Sequence, residues 1–269
     1  ITGNPTAYPI FESNEDMAVV QWNSDNPQPK YNTRSGSFDE VRLSQTLETR
    51  LKDLNDNRLY VFAQPTTASG KGIFSEDFAD YVGMPNGLDD EAALGYSPSG
   101  NPDESGSNFI SRLGILLACR ACNPDQASAT ASQTIIMSYS ELQFILAEAR
   151  EQGWISAGDA ATYYENGIRA SFDYYTARVT AGGWSEIAAA MQATDLDAYL
   201  GQAAVAYAGT TDEKLGKIAL QKWISLFYTG FEGWSDWRRT GMPRVVPGPD
   251  AVNDGQVPVR FQYPNSVKS

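Results

Sequence analysis

Histidine is absent from the 269 residues. That absence removes the Ser-His-Asp triad, the Cys-His pair, the H-E-x-x-H zinc site and every histidine general base. Basic residues are scarce as well: 20 Lys and Arg face 33 Asp and Glu, a net charge of −13. A chain of that charge repels phosphate backbones, so no nucleic-acid partner is expected. Long apolar runs are missing too. Stretches such as Ile115–Cys119 fall far below the ~18 residues a membrane span requires. Cysteine occurs twice, as Cys119 and Cys122. The C-x-x-C spacing fits a redox motif, half a zinc site or a local disulfide. Zinc would need two more ligands, and the Gly/Ser/Pro-rich surroundings lack the strand-to-helix context of a thioredoxin-like pair. A local disulfide or two unpaired thiols remain, and no metal or cofactor is expected.

What is present exceeds the needs of a disordered chain: 42% hydrophobic and 12% aromatic residues. The length allows one large domain or two modest ones, with a core burying roughly 75% of the unfolded surface. The chain begins at Ile1 without a charged or apolar leader and ends on a polar string, so a processed product or a piece of a longer chain is expected. Asp53-Leu54-Asn55-Asp56-Asn57 spaces oxygens like a calcium loop. Arg58 stands where such a loop needs Gly, and Gln64 where it needs a bidentate Glu, so a helix end and a turn are expected instead. Asp89-Asp90-Glu91 could be read as glycosidase acid/base groups, but adjacency does not place two carboxylates across a sugar.

Residues 1–37 read as loop-rich, with one strand-like run, Met17–Trp22. Leucines at three- and four-residue steps predict a helix over Phe38–Asn55, with Ser37 as cap. Leu59–Ala63 reads as a short strand. Residues 66–134 form a long Gly/Pro/Ser/Asn/Asp-rich stretch whose aromatics, Phe74, Phe78, Tyr81, Tyr96 and Phe109, argue for order. From Met137 the pattern is helical: Ser138–Gly153 with Ser138 and Glu141 as a capping box, Asp159–Arg178, Ser185–Met191, Leu196–Tyr207, Glu213–Tyr228 capped by Thr211 or Asp212, and Phe231–Arg239 ending at Gly241. Small residues at Ala147 and Ala160 and short connectors predict antiparallel hairpins with a tetratricopeptide (TPR) flavour, an ordinary αα-hairpin being the plainer alternative.

Several of these stretches resemble one family. They are FDEVRLSQTLETRLKDLNDNRLYVFAQP (38–65), MSYSELQFILAEAREQGWI (137–155), YYENGIRASF (163–172), QKWISLFYTGFEGWSDWRRTGMP (221–243) and RFQYP (260–264). In this order and rough spacing they resemble the SusD/RagB-like nutrient-binding outer-membrane lipoproteins of Bacteroidetes. The resemblance implies a mainly α fold: TPR-like helical hairpins with long irregular loop insertions and few short strands. It implies one such domain over 1–269, incomplete at both ends, with its helical signature region at 137–241. It implies a non-catalytic surface protein that captures glycan or peptide oligomers and passes them to a SusC-like TonB-dependent transporter barrel. A lipid anchor, absent from this sequence, would hold the parent on the outer membrane.

No motif fixes a binding residue. Sugars are held by aromatic faces beside placed polar groups, and the loop-rich segments offer Trp22, Tyr31, Tyr81, Asn86, Tyr96, Asn101 and Asp103 as candidates; Asn23 lies beside the first of them. Trp223, Trp234 and Trp237 are expected in the core, and Arg238 and Arg239 are expected to pair with carboxylates or helix carbonyls. Two other functions stay open: a helical protein–protein scaffold without a small ligand, motivated by the hairpins, and a carboxylate hydrolase, motivated only by the abundance of acids.

Overall fold

Two antiparallel strands tie the start of the chain to its middle. The computed structural model describes residues 4, 6–23, 25–26, 41–96, 109–117, 131–227, 229–251 and 254–261. Within it β1 (Ala18–Gln21) pairs with β2 (Gln133–Met137), with a register shift between Ala18 and Val19. β1 falls inside the expected run. β2 straddles the end of the expected loop-rich stretch at 134 and the start of the expected helical region at Met137, because five residues of mixed polarity give little signal until a partner strand selects them. Cys119 and Cys122 lie outside the described residues.

The first α-helix is shorter than its spacing predicts. α1 spans Gln45–Asp53 and is capped by Ser44, whose hydroxyl accepts the Thr46 N–H, not by Ser37. Leu43 is buried but extended: its N–H reaches Ser111 O at 3.1 Å and its carbonyl accepts from Met84 N–H at 2.7 Å. Tertiary pairing there takes the backbone groups a helix would have used. α1 ends as expected in a turn, with Asn55 at φ +50°. Leu59–Ala63 is corrected from strand to helix. Leu59–Phe62 is a single helical turn, α2, with all four side chains buried. The Asp56 carboxylate nucleates it by accepting Arg58 N–H at 3.0 Å.

That turn also delivers an ion pair to the centre of the molecule. Arg58 and Asp56 are fully buried, with Nε–Oδ1 at 2.9 Å. The guanidinium also donates to Ser171 Oγ at 3.0 Å and to Gln221 Oε1 at 2.9 Å, and lies 4.6 Å above the Phe172 ring. Burial alone would favour the neutral form of Arg58, but Asp56 and Tyr199 outweigh it and hold the charge more firmly than usual. Tyr199, in turn, donates to Asp56 Oδ2 at 2.7 Å. Further along, the 66–96 stretch holds two 3-10 turns and α3 (Asp90–Leu94). It is ordered by its aromatics, since Phe74 and Phe78 pack edge-on to Tyr60 at 5.3 and 5.1 Å.

From residue 138 the expected helices are present, with shifted ends. α4 (Tyr139–Glu151) is capped by Ser138, which accepts Glu141 N–H without the reciprocal Glu141 bond of the expected box, and α5 (Ala160–Ala181) is capped by Asp159. They form an antiparallel hairpin: Ser140 Oγ donates to Gly167 O at 2.7 Å, and Phe144 faces Tyr164. Gly167 allows the crossing, since a Cβ there would lie 2.8 Å from the Phe144 ring. α6 (Ser185–Gln192) and α7 (Leu196–Gly201) follow. α7 stops six residues before its expected end at Tyr207, because Lys217 Nζ donates to the carbonyls of Ala203, Ala206 and Ala208 and holds a turn there. α8 (Thr211–Ser225) is capped by Thr210, one residue before Thr211 and two before Asp212, the expected caps, in a reciprocal box with Glu213. Thr210 supplies the hydroxyl in extended backbone, which a cap requires. α9 (Glu232–Thr240) ends at Gly241 in the left-handed region, φ +71°. No helix among the described residues is long and apolar enough to cross a membrane.

Candidate functional site

α9 buries no side chain, although it lies in the helical signature region. Its inner face is held by charge. Asp236 Oδ1 accepts from Lys222 Nζ on α8 at 2.9 Å and from Arg239 Nη2 at 2.8 Å. Arg239 also forks onto Glu148 of α4 with bonds of 2.6 and 2.7 Å. Burial works against the Asp236 charge, but Arg239 and Lys222 overcome it and hold the carboxyl below its usual range. Beside them Glu141 is buried on α4; desolvation pushes its pKa up, Glu232 and Asp236 add to the shift, and Lys222 opposes it. Arg239 thus meets its expected carboxylates.

The outer face carries aromatics. Phe231, Trp234 and Phe261 form a cluster with ring centroids 5.4–6.3 Å apart. Phe231 is 65% and Phe261 69% exposed. Trp234 Nε1 donates to Pro258 O at 3.0 Å, which fixes the indole on the C-terminal segment. Arg238 lies over the same ring, 4.6 Å from its centroid, instead of pairing with a carboxylate. Trp234 and Trp237 are corrected from core to half-exposed positions; Trp223 packs on the core edge. α9 has too few apolar residues to make a core face, and that polarity was the signal available in Glu232–Thr240.

Pro258 and Val259 connect the cluster to a groove of about 900 Å³ between α8, the 86–88 turn and the 245–260 segment. Ser44, Asn86, Trp223, Asp250, Gln256 and Arg260 line it. Its wall depends on close backbone approach. A Cβ on Gly87, at φ +64°, would lie 2.9 Å from Gly248 Cα, and Asp250 N–H bonds Gly87 O at 2.9 Å. The volume falls within the range of small-ligand sites, and the lining mixes a few polar groups with apolar walls. A smaller cavity of about 440 Å³ lies under β2, lined by Phe62, Tyr174, Tyr175 and Phe227. Ser132, Gln133 and Thr134 add polar groups to these core aromatics. Among the described residues, no group of three or more acids or cysteines is placed to hold a metal ion.

A family model described as starch-binding associating with outer membrane, SusD-like, matches residues 2–264. The chain belongs to this SusD-like family. No curated protein matches it. Among solved structures, a SusD homolog from Bacteroides fragilis is 26% identical with a TM-score of 0.76; the alignment covers 98% of this chain and 53% of that one. A chitin-binding protein is 28% identical with a TM-score of 0.66, over 96% of this chain and 50% of the other. A chitin-binding SusD homolog from Flavobacterium johnsoniae, 22% identical with a TM-score of 0.68, covers 98% and 52% and shares the fold. The chain therefore spans about half the length of the structures it matches. The mainly helical SusD-like fold expected from the motifs is the fold observed.

Among the described residues, the candidates named from sequence do not converge in this SusD-like chain. Of those candidates Asn86 lines the groove, where its carbonyl accepts from Ser44 Oγ at 2.9 Å and its amide donates to Thr46. Tyr81 is corrected to a core residue. It is fully buried, its hydroxyl exchanges hydrogen bonds with Ser75 backbone, and burial raises its pKa. Trp22 sits just past β1, with Nε1 donating to Thr134 Oγ1 at 3.1 Å. Tyr96 is exposed after α3, away from the groove lining. Tyr31, Asn101 and Asp103 lie outside the described residues. Trp234, Phe231 and Phe261 were missed because periodic aromatics in a helical signature read as packing.

Proposed function

We propose that this chain is the ligand-binding part of a non-catalytic surface protein that captures oligosaccharides in the groove between α8 and the C-terminal segment. The observation that carries the reading is the exposed Phe231–Trp234–Phe261 cluster joined to an apolar-walled groove of about 900 Å³ that carries a few polar groups. Apolar sugar faces stack on such rings, while Asn86, Gln256 and Asp250 offer acceptors and donors to hydroxyls. Membership of a starch-binding, outer-membrane-associated family and likeness to a chitin-binding protein support it. Delivery to a SusC-like TonB-dependent barrel and lipid anchoring of a longer parent at the cell surface belong to the same proposal. A peptide ligand is the variant outcome.

Titration calorimetry of starch, chitin and peptide oligomers against the chain and its Trp234→Ala variant tests this. Loss of the ring should weaken oligosaccharide binding about tenfold, or about 1.4 kcal/mol. Unchanged affinity moves the site elsewhere, and absence of binding by every oligomer removes the reading. A second reading, a protein-docking scaffold, is favoured by one feature. Trp154, 68% exposed, borders a groove of about 380 Å³ between α4, α8 and α9.

A further inference from the structure

The groove has a charge character that a neutral sugar would not use. Residues 229–269 hold five bases against four acids, whereas residues 1–228 hold fifteen against twenty-nine. The aromatic cluster and most of the groove lining come from this C-terminal stretch, so the site is built largely from a part of an acidic chain that carries no net negative charge.

Arg238 sharpens the point. Acids outnumber bases by thirteen, so a surface arginine would readily find a carboxylate. Arg239, one residue on, takes two. Arg238 is exposed, and among the described residues its contact is the Trp234 ring, with no carboxylate or carbonyl accepting from it. A guanidinium held by its face keeps its N–H edge available, and that planar edge matches a carboxylate or sulfate in two parallel hydrogen bonds. The acids around it are accounted for. Asp236 is engaged by Lys222 and Arg239, and Asp250 Oδ2 accepts from Asp89 N–H at 3.1 Å. Glu232 is exposed six residues before Arg238, nearly two turns away on α9, and Arg260 lines the adjoining groove.

Resting on the glycan reading above, we infer that the platform selects acidic oligosaccharides. A sugar face stacks on Trp234 and Phe261, and a carboxylate or sulfate on that sugar or its neighbour is held by the Arg238 edge. The stacked ring keeps the guanidinium in place before the ligand arrives, which reduces the ordering cost of binding. Overall negative charge repels such ligands at a distance, so their binding depends on short-range contact at this one place.

The experiment is a calorimetric comparison of three probes on the full chain: tetragalacturonate for carboxylate, a chondroitin sulfate tetrasaccharide for sulfate and chitotetraose as the neutral control. The acidic probe that fits should bind about tenfold more tightly than the neutral one at low salt. That ratio should fall toward one in Arg238→Gln, and Arg238→Lys, which keeps the charge and loses the planar fork, should restore it only in part. Added salt should shrink the ratio. Circular dichroism and the thermal midpoint establish that the variants are folded; because Arg238 is exposed, both should match the parent. Equal affinity for acidic and neutral probes, or a preference that survives Arg238→Gln, overturns this inference and leaves the oligosaccharide reading standing. Failure of both acidic probes to bind overturns this inference, and failure of starch and chitin oligomers as well overturns the oligosaccharide reading too.

Discussion

Arg58 carries a full charge into a place without water, and its surroundings explain why it stays charged. Asp56 neutralises it, while Ser171, Gln221 and Tyr199 occupy the remaining donors and lone pairs. Such a pair gives modest net stability, but removing one partner leaves a buried charge with nothing opposite it. Arg58→Met should therefore cost about 3–5 kcal/mol in chemical denaturation. Pairing it with Asp56→Asn, which removes the stranded charge, should recover part of that loss. A single variant with unchanged stability would mean the carboxylate finds water or a proton.

The element whose attachment is most unusual is α9, which docks through charge instead of apolar burial. Two carboxyls at its base respond to pH in opposite directions. Asp236 is held below its unfolded value, so its contribution is present above about pH 4 and is lost as pH falls through the lower folded value. Glu141 is raised above its unfolded value, so at neutral pH it costs stability, and acidification through the raised value relieves that cost. Glu141→Gln should raise the thermal midpoint at pH 7, with the advantage fading as pH approaches about 4. An advantage independent of pH would show that packing, not charge, is responsible. Elements like α4, α5 and α8 were legible from sequence because their apolar spacing and caps are local: Ser138, Asp159 and the 210–213 region say where to start. β2, the start of α1 and the end of α7 were not, because each is set by a partner outside the element: β1 and Ser111 far along the chain, and Lys217 on the next helix. The site was hidden for the same reason. Nothing local in Phe231–Trp237 says that Pro258 and Phe261 return to meet it.

For the whole molecule, a net charge of −13 sets the electrostatic background. Self-repulsion opposes compactness and is screened by salt, while the Arg58 pair is buried and screened little. The thermal midpoint should rise as salt is taken from about 10 mM to about 300 mM. A fall would show that surface pairs such as Arg169–Asp197 outweigh repulsion. The Arg58 cluster also has a kinetic consequence. Its side-chain partners on α5, α7 and α8 lie 113, 141 and 163 residues away along the chain. Contacts of that range form slowly, because the chain must close large loops before they bring any return. The guanidinium cannot shed its water until all three helices have arrived, so Arg58→Met is expected to speed unfolding more than it slows folding, a split that stopped-flow folding and unfolding rates check.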